Sequence, residues 1–267
     1  MPRLTRPDGA ELEWRIEGHA GPLVALTLMA LHPPGVCRRL VEDLAADHRV
    51  LVYELRGTAG SSRTPPYDMD TDAADLAAVV EETGGDVLVI AVGDGARRAV
   101  RAAADRPDLI HTVVVSGEAP LGTSTRAGGH EALSHSPAVL EALLALLESD
   151  YRAGLRTMLG SSGESEWHGM ALHDRIDAMA AHCPHEVAVA RLRAWTGDDS
   201  IEHARSLGGR LWFLHYPGNA WFQGSLDGLR RDLPDAHFEE VPDGVLTRPE
   251  ENAAEVRRIL AARRTAV

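Results

Sequence analysis

Short apolar runs alternate with segments of helical spacing along the first 116 residues. Five segments have strand patterns, and the nearly continuous apolar runs among them suit strands covered on both faces: 11–17, 22–31, 49–55, 86–92 and 110–116. Between these segments, apolar residues recur every three or four positions, which predicts helices over 40–46, 71–83 and 94–106. Alternation of this kind predicts a parallel sheet with helices on its faces.

The alternation stops near residue 120 and resumes near residue 206. The region between them is rich in Ala, Leu and His, and its spacing predicts four helices, over 138–149, 150–159, 171–182 and 186–195. Beyond it, strands over 210–216 and 237–241 alternate with helices over 222–232 and 249–263. We therefore expect an α/β core of residues 1–119 and 206–267, with a helical cap, or lid, over 120–205.

Composition narrows the set of partners. The formal net charge is −13, which argues against nucleic acid or an anionic membrane surface as a partner, because both require a basic surface. No apolar run approaches the ~20 residues of a membrane span, and residues 1–20 contain no apolar signal segment, so we expect a cytoplasmic protein. Cys37 and Cys183 fit no zinc or redox spacing. Whether the chain forms a homodimer is left open.

Three local patterns lie in a familiar order. Residues 50–57 read Val-Leu-Val-Tyr-Glu-Leu-Arg-Gly and are followed by Gly-Ser-Ser at 60–62, which is similar to a strand ending in D-x-R-G-x-G-x-S. Residues 86–100 have the pattern of a buried strand, a tight turn and a helix, and Pro107 lies fourteen residues after Gly93. Together these patterns resemble the α/β-hydrolase superfamily, in which the strand–turn–helix unit is the nucleophile elbow, G-x-S-x-G.

The resemblance implies an α/β-hydrolase fold, with a mostly parallel central sheet flanked by helices and a helical cap inserted after the sixth strand of the family arrangement. It also implies where a catalytic triad would lie. The elbow reads Ala-Val-Gly-Asp-Gly, with Gly93 in the place of serine. Asn219 falls at the position of the acid, and Val245 at that of the histidine. Since glycine and valine supply neither nucleophile nor base, we expect no hydrolysis by the usual acyl-enzyme route.

Asp94 has three interpretations. If the elbow is shifted by one residue, Asp94 is a nucleophile, as aspartate is in haloalkane dehalogenases and epoxide hydrolases. That shift puts Val92 and Ala96 at the small positions of the motif and shortens the distance to Pro107. Otherwise Asp94 is a carboxylate in the first turn of a helix, where the helix dipole favours it, or a residue of the pocket.

Other candidates follow from the resemblance. His32 lies at the end of the third strand, where it faces the crevice or packs a turn, and the loop 32–35 would supply one oxyanion donor although Pro33 and Pro34 have no N–H. Glu118 follows the sixth strand, at a position that holds the acid in some family members. Three residues surround the acid position: Tyr216, Asn219 and Trp221. Neither a metal-ligand spacing nor a phosphate-binding loop is present, so we expect no metal and no cofactor.

Three functions remain open. The favoured hypothesis is a non-hydrolytic enzyme that cyclises, rearranges or forms a C–C bond in a small, largely apolar, natural-product-like molecule of bacterial secondary metabolism, such as antibiotic biosynthesis. The second is a catalytically inert protein that binds a small molecule or a partner, and the third is a hydrolase with Asp94 as nucleophile. The enzyme hypothesis predicts a desolvated titratable group near Gly93. The binding hypothesis predicts an apolar pocket without such a group, or an exposed apolar patch on the cap.

Overall fold

The computed structural model describes residues 1–117, 121, 137–160, 170–217 and 225–266. Within them, eight strands form one sheet: β1 (Arg3–Thr5), β2 (Glu11–Glu17), β3 (Leu23–Thr27), β4 (Arg49–Tyr53), β5 (Val87–Val92), β6 (Ile110–Ser116), β7 (Leu211–His215) and β8 (His237–Glu240). Their order across the sheet is β1-β2-β4-β3-β5-β6-β7-β8. The pairs β1–β2 and β2–β4 are antiparallel, and all other neighbours are parallel. The predicted α/β fold with a mostly parallel sheet is confirmed.

Helices flank this sheet and fill the described part of the segment between β6 and β7. They are α1 (Arg38–Leu44), α2 (Met69–Glu82), α3 (Gly95–Asp105), α4 (Pro137–Ser149), α5 (Tyr151–Gly160), α6 (Leu172–His182), α7 (His185–Gly197), α8 (Ile201–Leu207), α9 (Ser225–Asp232) and α10 (Pro249–Ala266), with a short 3-10 helix at Gly208–Arg210. Helices α4 to α8 lie between β6 and β7, where the sequence predicts the cap. The limits of that cap, 120 and 205, stay a prediction.

The core has two apolar layers, one on each side of the sheet. Strand β5 shows why: Val87, Val89 and Ala91 pack towards α2 and α3, whereas Leu88 and Ile90 pack towards α1 and α10. Alternate residues of a strand point to opposite faces, so a strand covered on both sides needs an almost unbroken apolar run. The cap helices α4 to α7 extend the second layer.

Two strands differ from the prediction. Strand β1 was missed, because its three residues are largely polar and pair with β2 alone. The predicted strand 22–31 was too long, since β3 ends at Thr27, the last residue paired with β5. Beyond it, side chains replace a neighbouring strand as partners of the backbone: Arg98 donates to the Leu28 carbonyl oxygen, and the Ala30 N–H donates to Asp94. The apolar residues 28–31 therefore leave the sheet at its carboxyl end.

None of the helices in the described part of the chain combines the length and apolarity that a membrane span requires.

Candidate functional site

The turn between β5 and α3 has its apex at Gly93. This residue has φ +60°, a conformation that favours glycine, and a Cβ at this position would lie 3.1 Å from Met29 Cβ. Asp94 has φ −64° and ψ −12°, which is already helical, and it is the N-cap residue of α3. The geometry therefore places Gly93, and not Asp94, where a nucleophile elbow carries its special backbone conformation.

A pocket lies above this turn, at the carboxyl ends of the parallel strands. Its cavity volume is about 240 Å³. Gly93, Asp94, Tyr216 and Val245 line it from the core, and side chains of α5, α6 and α7 line it from the cap, most of them apolar. Ligands of open α/β sheets bind at this edge of the sheet. The described residues therefore form an apolar pocket between the turn and the cap helices.

The carboxylate of Asp94 is held at the floor of the pocket. Its Oδ1 accepts a hydrogen bond from the Ala30 N–H at 2.9 Å, and its Oδ2 accepts one from Arg98 Nη2 at 2.8 Å. The side chain does not cap α3, although Asp94 is the N-cap residue. It is 18% exposed, whereas Arg98 is completely buried. Asp94 thus has partners for both oxygens while it still lines the pocket.

This arrangement changes the expected oxyanion site. In the hydrolase fold, one donor N–H comes from the residue after the nucleophile and the other from the loop after the third strand. We placed the loop donor within 32–35, but the loop residues beside the apex are Met29 and Ala30. Strand β3 ends four residues earlier than predicted, and Ala30 lines the pocket whereas none of residues 32–35 does. A donor within 32–35 stays a prediction, and the Ala30 N–H is bonded to Asp94.

A buried chain of charges links the cap to this carboxylate. Arg191 of α7 forms an ion pair with Asp72 of α2 and donates to the Arg56 carbonyl oxygen. Asp72 Oδ2 lies 3.6 Å from Arg98 Nε, and Arg98 in turn binds Asp94. Burial alone lowers the pKa of Arg98, but the carboxylates of Asp94 and Asp72 outweigh burial and raise that pKa. The chain holds two guanidinium groups and two carboxylates, so its charges balance.

His32 does not line the pocket. It is buried, with Nδ1 2.9 Å from the Pro33 carbonyl oxygen, and its ring lies 4.6 Å from that of His182 at the end of α6. Burial lowers the pKa of each imidazole to about 4, and the charge of Arg98 contributes to the lowering at His32. His182 Nε2 lies 3.5 Å from Glu54 Oε2. These residues join the cap to the core, away from the pocket surface.

The other predicted site residues divide into two groups. Tyr216 and Val245 line the same pocket as Gly93 and Asp94. Three lie outside the described residues: Glu118, Asn219 and Trp221. Within the described ranges, no cluster of three or more His, Cys, Asp or Glu side chains is arranged to hold a metal ion.

Sequence analysis missed Ala30, Arg98 and Arg191. Ala30 was assigned to a strand, and a backbone donor leaves no trace in the residue type. Arg98 had a usable signal, because Asp94 and Arg98 are four residues apart on a predicted helix, the spacing at which opposite charges pair. Arg191 lies 119 residues from its partner Asp72, so no local pattern connects them.

The fold and this site define an α/β hydrolase-type protein, and the comparisons agree. Residues 30–262 match the model of the alpha/beta hydrolase family, so the chain belongs to that family. Among curated proteins, none matches the sequence.

Solved structures with a similar fold include hydrolases and a bromoperoxidase. A thermophilic esterase from Thermogutta terrifontis has a TM-score of 0.77 and 18% identity, over 98% of this chain and 99% of the esterase. An enol-lactonase from Burkholderia xenovorans has a TM-score of 0.75 and 17% identity, over 98% of both chains. A bromoperoxidase from Bacillus anthracis has a TM-score of 0.74 and 18% identity, over 95% of both chains. At such identities the likeness shows the fold alone.

Proposed function

We propose that this chain binds a small, largely apolar molecule in the pocket over Gly93 and does not hydrolyse it through an acyl-enzyme. The observation that carries the proposal is the hydrogen bond from the Ala30 N–H to Asp94, directly beside a glycine at the apex of the turn. One oxyanion donor is thereby occupied by the protein itself, and the apex offers no attacking atom.

Acyl transfer requires a nucleophile, a base for its proton and donors for the oxyanion. Val245, which the family resemblance puts in the place of the histidine, is a buried apolar residue that lines the pocket. Loss of one oxyanion donor alone costs about 10²–10³ in kcat. The absence of a serine and a histidine from these positions supports the proposal that no catalytic triad functions in this chain.

A second candidate is non-hydrolytic catalysis, such as cyclisation or C–C bond formation on a natural-product-like molecule. It is favoured by Asp94, the one carboxylate among the described lining residues and therefore the candidate acid or base. Binding without turnover is the better supported function, because both oxygens of Asp94 already accept hydrogen bonds within the protein. Hydrolysis, as in the esterase and the enol-lactonase of similar fold, is the outcome that the test must exclude.

One ester, 1-naphthyl acetate, tests hydrolysis, and its product 1-naphthol tests binding. We expect calorimetry to show binding of 1-naphthol, and fluorescence to show no release of 1-naphthol from the ester above buffer. Ala188 is buried and lines the pocket, so Ala188→Leu fills it and should abolish binding. Ala145 is exposed on α4, and Ala145→Leu is the matched control that should bind normally.

Turnover of the ester by the parent protein, abolished by Ala188→Leu but not by Ala145→Leu, would overturn the proposal in favour of a hydrolase. A fluorophosphonate probe tests the same point independently. The parent protein should remain unlabelled after denaturation and electrophoresis, since its apex carries no nucleophilic side chain. Binding that survives Ala188→Leu would place the ligand site elsewhere.

A further inference from the structure

We propose that the ligand of this pocket is a neutral molecule with a hydroxyl or N–H group that donates a hydrogen bond to Asp94. The inference rests on the proposed function and specifies its ligand class. In this chain the turn that normally receives a carbonyl oxygen presents an acceptor instead, so the pocket selects for donors.

The first argument is the polarity of the turn. A hydrolase elbow directs two N–H groups at one oxygen of its substrate. Here the Ala30 N–H donates to the carboxylate of Asp94 at 2.9 Å, so this N–H is not free for a substrate oxygen. A ligand carbonyl that approached Ala30 would therefore meet a carboxylate, which cannot donate a hydrogen bond to it.

The second argument is the capacity of that carboxylate. Two ionised oxygens offer about four acceptor sites, and the bonds from Ala30 and Arg98 use two of them. The Asp94 side chain is 18% exposed and lines the pocket. An acceptor left inside an apolar pocket is costly unless a donor satisfies it, so a ligand hydroxyl or N–H gains affinity by reaching it.

The third argument is charge. Asp94 and Asp72 are balanced by Arg98 and Arg191, which lie within the same buried chain. Arg191 also lines the pocket, and Asp72 balances its charge. An anionic ligand would bring a second negative charge next to Asp94, and a cationic ligand would add an unbalanced charge to a mostly apolar cavity. A neutral donor avoids both costs.

The remainder of the lining selects the body of the ligand. Met29, Met158 and Met179 surround a cavity of about 240 Å³, and Trp195 supplies an aromatic surface. Methionine adapts to irregular apolar shapes and packs well against aromatic rings. A phenol, an alcohol or a secondary amide on a bicyclic or aliphatic body therefore fits the pocket.

Three naphthalene probes test the inference by calorimetry at pH 7. We expect 2-naphthol to bind at least tenfold more tightly than 2-methoxynaphthalene, because the ether lacks the donor and leaves the acceptor unpaired. We expect 2-naphthoate to bind most weakly. Asp94→Ala should reduce the difference between naphthol and ether to less than threefold. Asp70, whose side chain is 85% exposed, gives the matched control, since Asp70→Ala should preserve the difference.

Asp94→Ala leaves Arg98 buried without its closest carboxylate and is the variant most at risk of unfolding. Asp94→Ala/Arg98→Met removes both members of the pair and should show the same loss of preference in a folded protein. Equal binding of 2-naphthol and its ether to the parent protein overturns the inference while the proposed function stands, as does tightest binding of 2-naphthoate. If none of the three probes binds, the proposed function itself fails.

Discussion

The buried pair His32 and His182 makes the fold sensitive to acid between pH 7 and 5. Burial lowers the pKa of both imidazoles to about 4, from an ordinary value of 6.5. The unfolded chain therefore takes up protons near pH 6.5, whereas the folded chain stays neutral until about pH 4. The unfolding free energy is highest above pH 6.5 and decreases as the pH falls. Between pH 7 and 5 the decrease is about 2 kcal/mol per imidazole.

Neighbouring groups set the range of the measurement. Burial raises the pKa of Glu54, which faces His182, above its ordinary value of 4.5, so the folded chain takes up this proton at a higher pH than the unfolded chain. Glu54 therefore contributes with the opposite sign as the pH falls towards 5. Burial also lowers the pKa of His111 to about 4 and that of His215, but both contribute alike to the parent and to each variant.

The assay is urea unfolding at pH 7 and at pH 5, for the parent and for His182→Asn. The loss of unfolding free energy between these pH values should be about 2 kcal/mol smaller in the variant, because one buried imidazole is gone. His19 is exposed, so His19→Asn should leave the loss unchanged. A His182→Asn protein that keeps the full loss of the parent would refute the assignment of acid sensitivity to this pair.

Three further predictions concern the floor of the pocket and the thiols. Arg98→Met should lower the unfolding free energy by about 3–5 kcal/mol in urea, because it leaves Asp94 without its ion-pair partner in the buried network, whereas Arg38→Met at an exposed i,i+4 pair should change it by less than about 1 kcal/mol. Equal effects would contradict the buried network. Gly93→Ser should lower the unfolding free energy by about 1–3 kcal/mol in the same assay, since φ is +60° and the new Cβ would lie 3.1 Å from Met29. Unchanged stability would contradict the backbone conformation described for this turn. Burial raises the pKa of the Cys37 and Cys183 thiols to about 12. A chromogenic disulfide reagent at pH 8 should therefore detect neither thiol in the folded protein and both thiols in urea. Rapid reaction of the native protein would refute their burial.

The pattern of apolar residues was enough to predict seven of the eight described strands, all but β1. Buried parallel strands such as β5 need apolar residues on both faces, so an unbroken run marks them clearly. It was insufficient at β3, where the apolar run continues past Thr27 because the residues that leave the sheet line an apolar pocket. An apolar side chain has the same appearance in a sequence whether a strand or a pocket requires it.

The site was predictable only in part. Gly93 and Val245 were located through the family resemblance, and both line the pocket. The partners of Asp94 were not, because Ala30 contributes a backbone N–H and the link to Arg191 passes through side chains distant in sequence. Contacts of this kind depend on how helices pack over the end of the sheet, which residue patterns do not encode locally.

The hydrogen bond between the Ala30 N–H and Asp94 also limits what a single substitution at this turn can achieve. A mutation that introduced serine at position 93 would gain an attacking group but still face an acidic side chain at the neighbouring donor. Replacing Asp94 alone would free that donor without anything to use it, and would leave Arg98 without its closest carboxylate. Under the proposed function, neither substitution alone would restore ester cleavage, because the residues of the turn depend on one another.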